Sequence, residues 1–192
     1  MIRLGVTGGI GSGKSYVCRI MQEHFGIPVY CSDIRARIIT LSDPDVIDQL
    51  TAIDPRFYDA DGELDKQRLA QYMFGNEEHL RQVNGIIHPA VRRDFREWCS
   101  CHSRHPIVAL ESAILYESGF DSEVDKVLFV DAPEDIRLLR TTQRDGSTPS
   151  QVRLRMAHQQ THEARQRADF VILNDGNTDI VAELRKHLNI NI

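Results

Sequence analysis

No apolar run in this 192-residue sequence approaches the roughly 20 residues that a membrane-spanning helix needs. The first residues enter an apolar, strand-like run without a charged leader or cleavage site, so a cytoplasmic address is expected. Cysteine is sparse, and Cys18, Cys31, Cys99 and Cys101 show no disulfide-framework spacing, which fits free thiols in a reducing compartment. Basic excess is also missing. The formal net charge of −5 argues against nonspecific nucleic-acid binding, although residues 137–167 concentrate seven arginines against Asp145 and Glu163. Two metal-like spacings lack what a metal centre needs. Cys99, Cys101, His102 and His105 crowd into one segment, whereas tetrahedral sites draw ligand pairs from separate segments; His158 and His162 lack the intervening Glu of a metalloprotease. The guanine-reading Asn-Lys-x-Asp motif of a nucleotide switch is absent, as are internal repeats and low-complexity tracts.

What is present begins at residue 8 with "GGIGSGKS". Glycines let the backbone turn sharply and bring several N–H donors to one oxyanion, and the N-terminus of a following helix adds partial positive charge. Lys14 is placed to reach β and γ phosphates as a point charge, and the Ser15 hydroxyl to ligate a bridging Mg²⁺. A chance glycine-rich turn is the competing explanation. The context favours the phosphate loop: an apolar strand precedes it, and Val17, Ile20, Met21 and His24 recur near one face of a helix after it. A nucleoside triphosphate with Mg²⁺ is the expected ligand.

At 41% hydrophobic residues the chain suffices for one well-buried domain with a small insertion. Apolar runs at 2–7, 28–31, 107–110, 127–130 and 170–173 read as five buried strands alternating with helices, which predicts an α/β fold with a parallel sheet covered on both faces. Between the second and third strands no strand is expected; 64–72, 77–87 and 90–101 read as helices, with turns at Asp54-Pro55 and Asp59–Gly62. Asp33 follows the second strand, where ligands of open parallel sheets bind, and can serve as a proton acceptor or simply as a helix N-cap.

Together "GVTGGIGSGKS", "CSDIRAR", "VNGIIHPAV", "LRTTQRD" and "RADFVILNDG" resemble the dephospho-coenzyme A kinase family over nearly the whole chain. The resemblance implies an adenylate-kinase-like P-loop fold and ATP-dependent phosphorylation of the ribose 3′-hydroxyl of dephospho-coenzyme A, giving coenzyme A and ADP with Mg²⁺ accompanying ATP. It implies that Asp33 deprotonates the hydroxyl while Lys14 and Arg140 stabilise the transferring phosphate. ATP would be held by Gly11, Ser12, Gly13, Lys14, Ser15, Tyr16, Arg140, Arg144, Asn174 and Gly176, and Mg²⁺ by Ser15. Asp33, Arg37, His88 and Glu117 would hold the acceptor. Within a single domain, 1–192, it implies a helical insertion for the acceptor at 33–104 and an arginine-rich lid at 141–160. ATP and dephospho-coenzyme A are the implied partners, without nucleic acid or membrane, and a monomer is favoured. Each of these residues also has a plain structural explanation: solvated helix faces for the arginines, a packed histidine for His88, and a turn for Asn174-Asp175-Gly176. The sequence departs from the family at Cys31 for the first Asp of an Asp-x-Asp pair, Tyr16 for Thr, Ala113 for Pro and Glu111 for Asp.

Overall fold

The computed structural model describes residues 1–157, 159 and 161–188, and divides them into two compact units. The first comprises residues 1–31 and 102–192. Its five strands, β1 (Ile2–Thr7), β2 (Val29–Cys31), β3 (Ile107–Glu111), β4 (Lys126–Asp131) and β5 (Phe170–Leu173), form one parallel sheet in the order β2-β3-β1-β4-β5. The expected α/β class and all five strands are present. Parallel strands are buried on both faces, which is why these runs are apolar without alternation. On one face Leu4, Val6, Leu128, Val130 and Ile172 pack against Val17, Cys18 and Met21 of α1 (Lys14–Phe25) and Leu184 of α9 (Ile180–Leu188). Gly5, which alternates with Leu4 and Val6, brings Leu115 and Val124 onto the opposite face. His24 does not join the apolar side of α1; it is exposed, because the helix ends at the left-handed Gly26 cap and Ile27 takes over the burial.

Strand order reverses at β1: the chain moves to β3 and β2 on one side and to β4 and β5 on the other. The crevice beyond the carboxyl end of such a strand is the standard ligand position in doubly wound sheets. The "GGIGSGKS" turn occupies it. After β4 come α6 (Glu134–Asp145), α7 (Pro149–Ala157) and α8 (Thr161–Arg167).

The second unit, residues 32–101, is helical: α2 (Ser32–Ser42), α3 (Pro44–Ile53), a short 3₁₀ turn (Pro55–Phe57), α4 (Lys66–Met73) and α5 (Glu77–Cys101). Asp43 caps α3 by accepting from the Asp45 and Val46 amides, with Pro44 in the first turn, and its other oxygen takes Arg93 of α5 at 2.7 Å. Asp54 accepts from the Arg56 backbone and guanidinium, which holds its carboxyl down to about 2. The Arg35 guanidinium of α2 pairs with Asp94 of α5, and the buried Tyr58 hydroxyl donates to the Thr40 carbonyl at 2.7 Å.

Helix α2 is anticipated in the sequence only as the capping alternative for Asp33 and α3 not at all, and the helices expected at 77–87 and 90–101 are one continuous α5 with Pro89 inside. Proline removes the N–H that would bond the Gly85 carbonyl, yet the buried Val83, Ala90, Val91 and Phe95 hold both halves on one core. Replacing Pro89 by Ala should restore the bond and stabilise the protein by about 1 kcal/mol, below the roughly 3 kcal/mol of a proline in an unadapted helix. The check is a higher urea midpoint with unchanged slope; a lower midpoint would show that the packing needs the kink.

Candidate active site

Between β1 and α1 the chain makes a cradle whose carbonyls are held from outside. The Asn174 Nδ2 donates to the Ser12 carbonyl at 2.8 Å, the Arg137 Nε to the Ile10 carbonyl at 3.0 Å, and the Lys14 Nζ to the Gly8 and Gly9 carbonyls at 2.8 and 3.3 Å. With the acceptors engaged, the first amides of α1, which have no partner within the helix, are the groups left for an anion. Gly11 and Gly13 are sterically required. Gly13 has φ +89° and a Cβ there would lie 2.2 Å from Asn174 Nδ2; Gly11 has φ +76° and a Cβ would lie 2.3 Å from the Arg137 carbonyl. The Ser12 hydroxyl is buried in this turn without a protein partner.

Ser15, the first-turn residue expected beside Mg²⁺, donates its hydroxyl to Glu111 Oε1 at 2.6 Å. The β1–β3 register, Val6 opposite Glu111, delivers this carboxylate to the mouth of the loop. A hydroxyl and one carboxylate are hard oxygen donors of the kind Mg²⁺ takes when phosphates and water complete its octahedron. That fits the expected ion, whereas no cluster of three His, Cys, Asp or Glu able to hold a metal exists among the described residues. Burial pushes the neighbouring Cys18 thiol up, with the charges of Glu111 and Cys31 adding to it and Lys14 opposing.

Beside the loop lies a cavity of about 350 Å³ lined by Gly13, Tyr16, Arg140, Asn174, Gly176, Thr178 and Ile180. Five of the ten residues expected at ATP therefore border one space. Arg140 donates to the Asn174 carbonyl at 2.9 Å, and Asn174 is 4% exposed, so this residue braces both the loop and the arginine. Arg144 stands elsewhere. One helical turn beyond Arg140, it pairs with Asp145, which also takes Arg155, and its side chain is 62% exposed. These bonds hold the Asp145 carboxyl well below the usual range, Arg144 contributing most.

Asp33 and Arg37 are exposed on α2, one turn apart, and His88 is half-buried on α5, where burial, then the Arg92 charge, lowers its pKa. Asp33 falls inside the first turn of α2, and its carboxylate makes no capping bond among the described residues. Glu117 is exposed and borders a second, small cavity with Thr7, Gly8, Ala113, Phe129, Gln159, Thr161 and Ala164. Arg137 and Gln159 escaped the sequence reading. Gln159 Oε1 accepts the Ile10 N–H at 2.7 Å across 149 residues, and no local pattern announces such a contact. In the arginine-rich stretch α8 is tied down: Arg165 pairs with Asp131, and Arg167 pairs with Asp121 and lies 4.0 Å over the Tyr116 ring. His158 of the discounted histidine pair, and with it part of the stretch 141–160, lies outside the described residues. No helix among them is long and apolar enough to cross a membrane.

A family model for dephospho-CoA kinase matches residues 2–179. The chain belongs to the dephospho-CoA kinase family. Its similarity to dephospho-CoA kinase of Porphyromonas gingivalis is 47% identity over 91% of this chain and 86% of the relative; for the Bacteroides fragilis protein of that name it is 41%, over 95% and 89%. A Thermus thermophilus crystal structure shares 31% identity with a TM-score of 0.84, covering 98% of this chain and 96% of that one. Within this family fold, Asn174→Asp should face the Ser12 carbonyl with an acceptor instead of a donor. Unpairing a buried carbonyl costs about 1–3 kcal/mol. We expect a lower melting temperature together with about tenfold weaker ATP binding by calorimetry; wild-type binding would mean the loop holds its shape without this brace.

Proposed function

We propose that this protein transfers the γ-phosphoryl group of ATP to the ribose 3′-hydroxyl of dephospho-coenzyme A, releasing ADP and coenzyme A. Membership of the kinase family over residues 2–179, in a chain whose glycine loop meets its physical requirements, carries this reading. In the proposed mechanism the triphosphate lies along the loop with adenosine in the cavity of Tyr16, Arg140 and Gly176. The Lys14 ammonium, which rests on the Gly8 and Gly9 carbonyls, takes β- and γ-phosphate oxygens, and Arg140 neutralises charge on the transferring group; Arg144 would join it only on leaving Asp145. Ser15 and Glu111 would hold Mg²⁺, which would supply neutralising positive charge to the triphosphate.

On the helical unit, Asp33 accepts the proton as the 3′-oxygen bonds to phosphorus and the bond to the ADP oxygen breaks; its exposed, uncapped carboxylate supports that role over helix capping. Arg37, His88 and Glu117 contact the acceptor. Asp33→Asn should leave ATP affinity and melting temperature near wild type while turnover falls about 10²- to 10⁴-fold, the range for a positioned base. Asn caps helices as well as Asp, so near-normal turnover would return Asp33 to a structural role. ADP release measured with dephospho-coenzyme A beside other nucleosides and nucleotides tests the reaction itself.

The stretch 141–160 is proposed to close over bound substrates and exclude water. Joint addition of ATP and dephospho-coenzyme A should then slow tryptic cleavage after Arg153 and Arg155, both exposed. Equal cleavage with and without substrates would make α7 a fixed surface helix.

A further inference from the structure

Among the described residues, the amide of Ile10 is the loop donor held by a side chain from the arginine-rich stretch, and that side chain is uncharged. Gln159 Oε1 accepts the Ile10 N–H at 2.7 Å while Arg137 Nε holds the carbonyl of the same residue at 3.0 Å, so residue 10 is gripped on both sides. A backbone N–H can only donate. The bond therefore fixes which end of the Gln159 amide meets Ile10 N–H, leaving the two Nε2 hydrogens available to donate. No described residue accepts them. Gln159 also borders the small cavity with Thr7, Gly8 and Glu117, at the arm of the loop where the Lys14 ammonium sits on Gly8 and Gly9. In a phosphate loop that ammonium marks the β/γ end of the triphosphate.

We propose that Gln159 is a catalytic residue whose Nε2 donates to the transferring γ-phosphoryl group, while its Oε1, anchored on Ile10, sets the direction of that donor. This rests on the kinase reading above. A neutral amide adds a hydrogen bond where charge spreads over the equatorial oxygens, and its bond to Ile10 sets its orientation.

Gln159→Glu separates this role from a mere latch, because a carboxylate still accepts the Ile10 N–H but has nothing to donate and repels phosphate. We expect kcat with dephospho-coenzyme A to fall about 10²-fold, as for loss of one oxyanion donor, with melting temperature unchanged. Retention of more than half the wild-type kcat overturns the proposal, since a latch alone would be preserved or strengthened. Should the Glu variant not fold, Gln159→Met decides: a similar fall in kcat supports the role, whereas a raised ATP KM at unchanged kcat overturns it. Wild-type protein inactive in the same assay would overturn the kinase reading and this one with it; active wild type beside active Gln159→Glu overturns only the assignment of Gln159.

Discussion

A loop can offer N–H groups to a phosphate only while its carbonyls are kept turned away, and in this protein that task falls to two side chains remote in sequence and one from the loop itself. Asn174 holds Ser12, Arg137 holds Ile10, and Lys14 holds Gly8 and Gly9. The rest of the nucleotide unit can be understood as the frame for these bonds. Asn174 stands at the end of β5, where its amide is fixed by the Asp131 carbonyl at 2.7 Å, and Arg137 stands on the helix that follows β4. Both elements flank β1 on the side away from β3, so the sheet order itself brings them behind the loop.

On the other side of β1, β3 ends in a carboxylate beside Ser15. Residue 31, at the end of β2, is a cysteine and supplies no carboxylate. Among the described residues Glu111 is the carboxylate that touches Ser15. The proposed roles thus divide by unit. Strand ends of the sheet unit hold the triphosphate, and the helical unit, braced by Asp43, Asp54 and Asp94 ion pairs, carries Asp33, Arg37 and His88.

The strands were legible because a buried parallel strand has no polar face to interrupt its apolar run, as at Ile107 to Leu110 and Val127 to Val130. Helix α2 was not, since Ile34 and Ile38 are exposed while Ile39 and Thr40 are buried, which leaves no clear apolar stripe. Pro89 misled in the opposite way: local propensity says stop, and the shared core of Val83, Val91 and Phe95 overrides it. Four-residue spacing put Arg140 and Arg144 on one face of α6, but Asp145 draws the second guanidinium aside.

The sequence by itself determined what short-range chemistry determines. Glycines at 11 and 13 permit backbone angles that other residues resist, Lys14 and Ser15 follow at a fixed offset, and five apolar runs must hide from water on both faces. Only the tertiary structure decided which distant groups reach the loop: Asn174 across 162 residues, Gln159 across 149, Arg137 across 127 and Glu111 across 96. A hydrogen bond depends on positions within a few tenths of an ångström, and those positions follow from strand order and register, which no local spacing encodes.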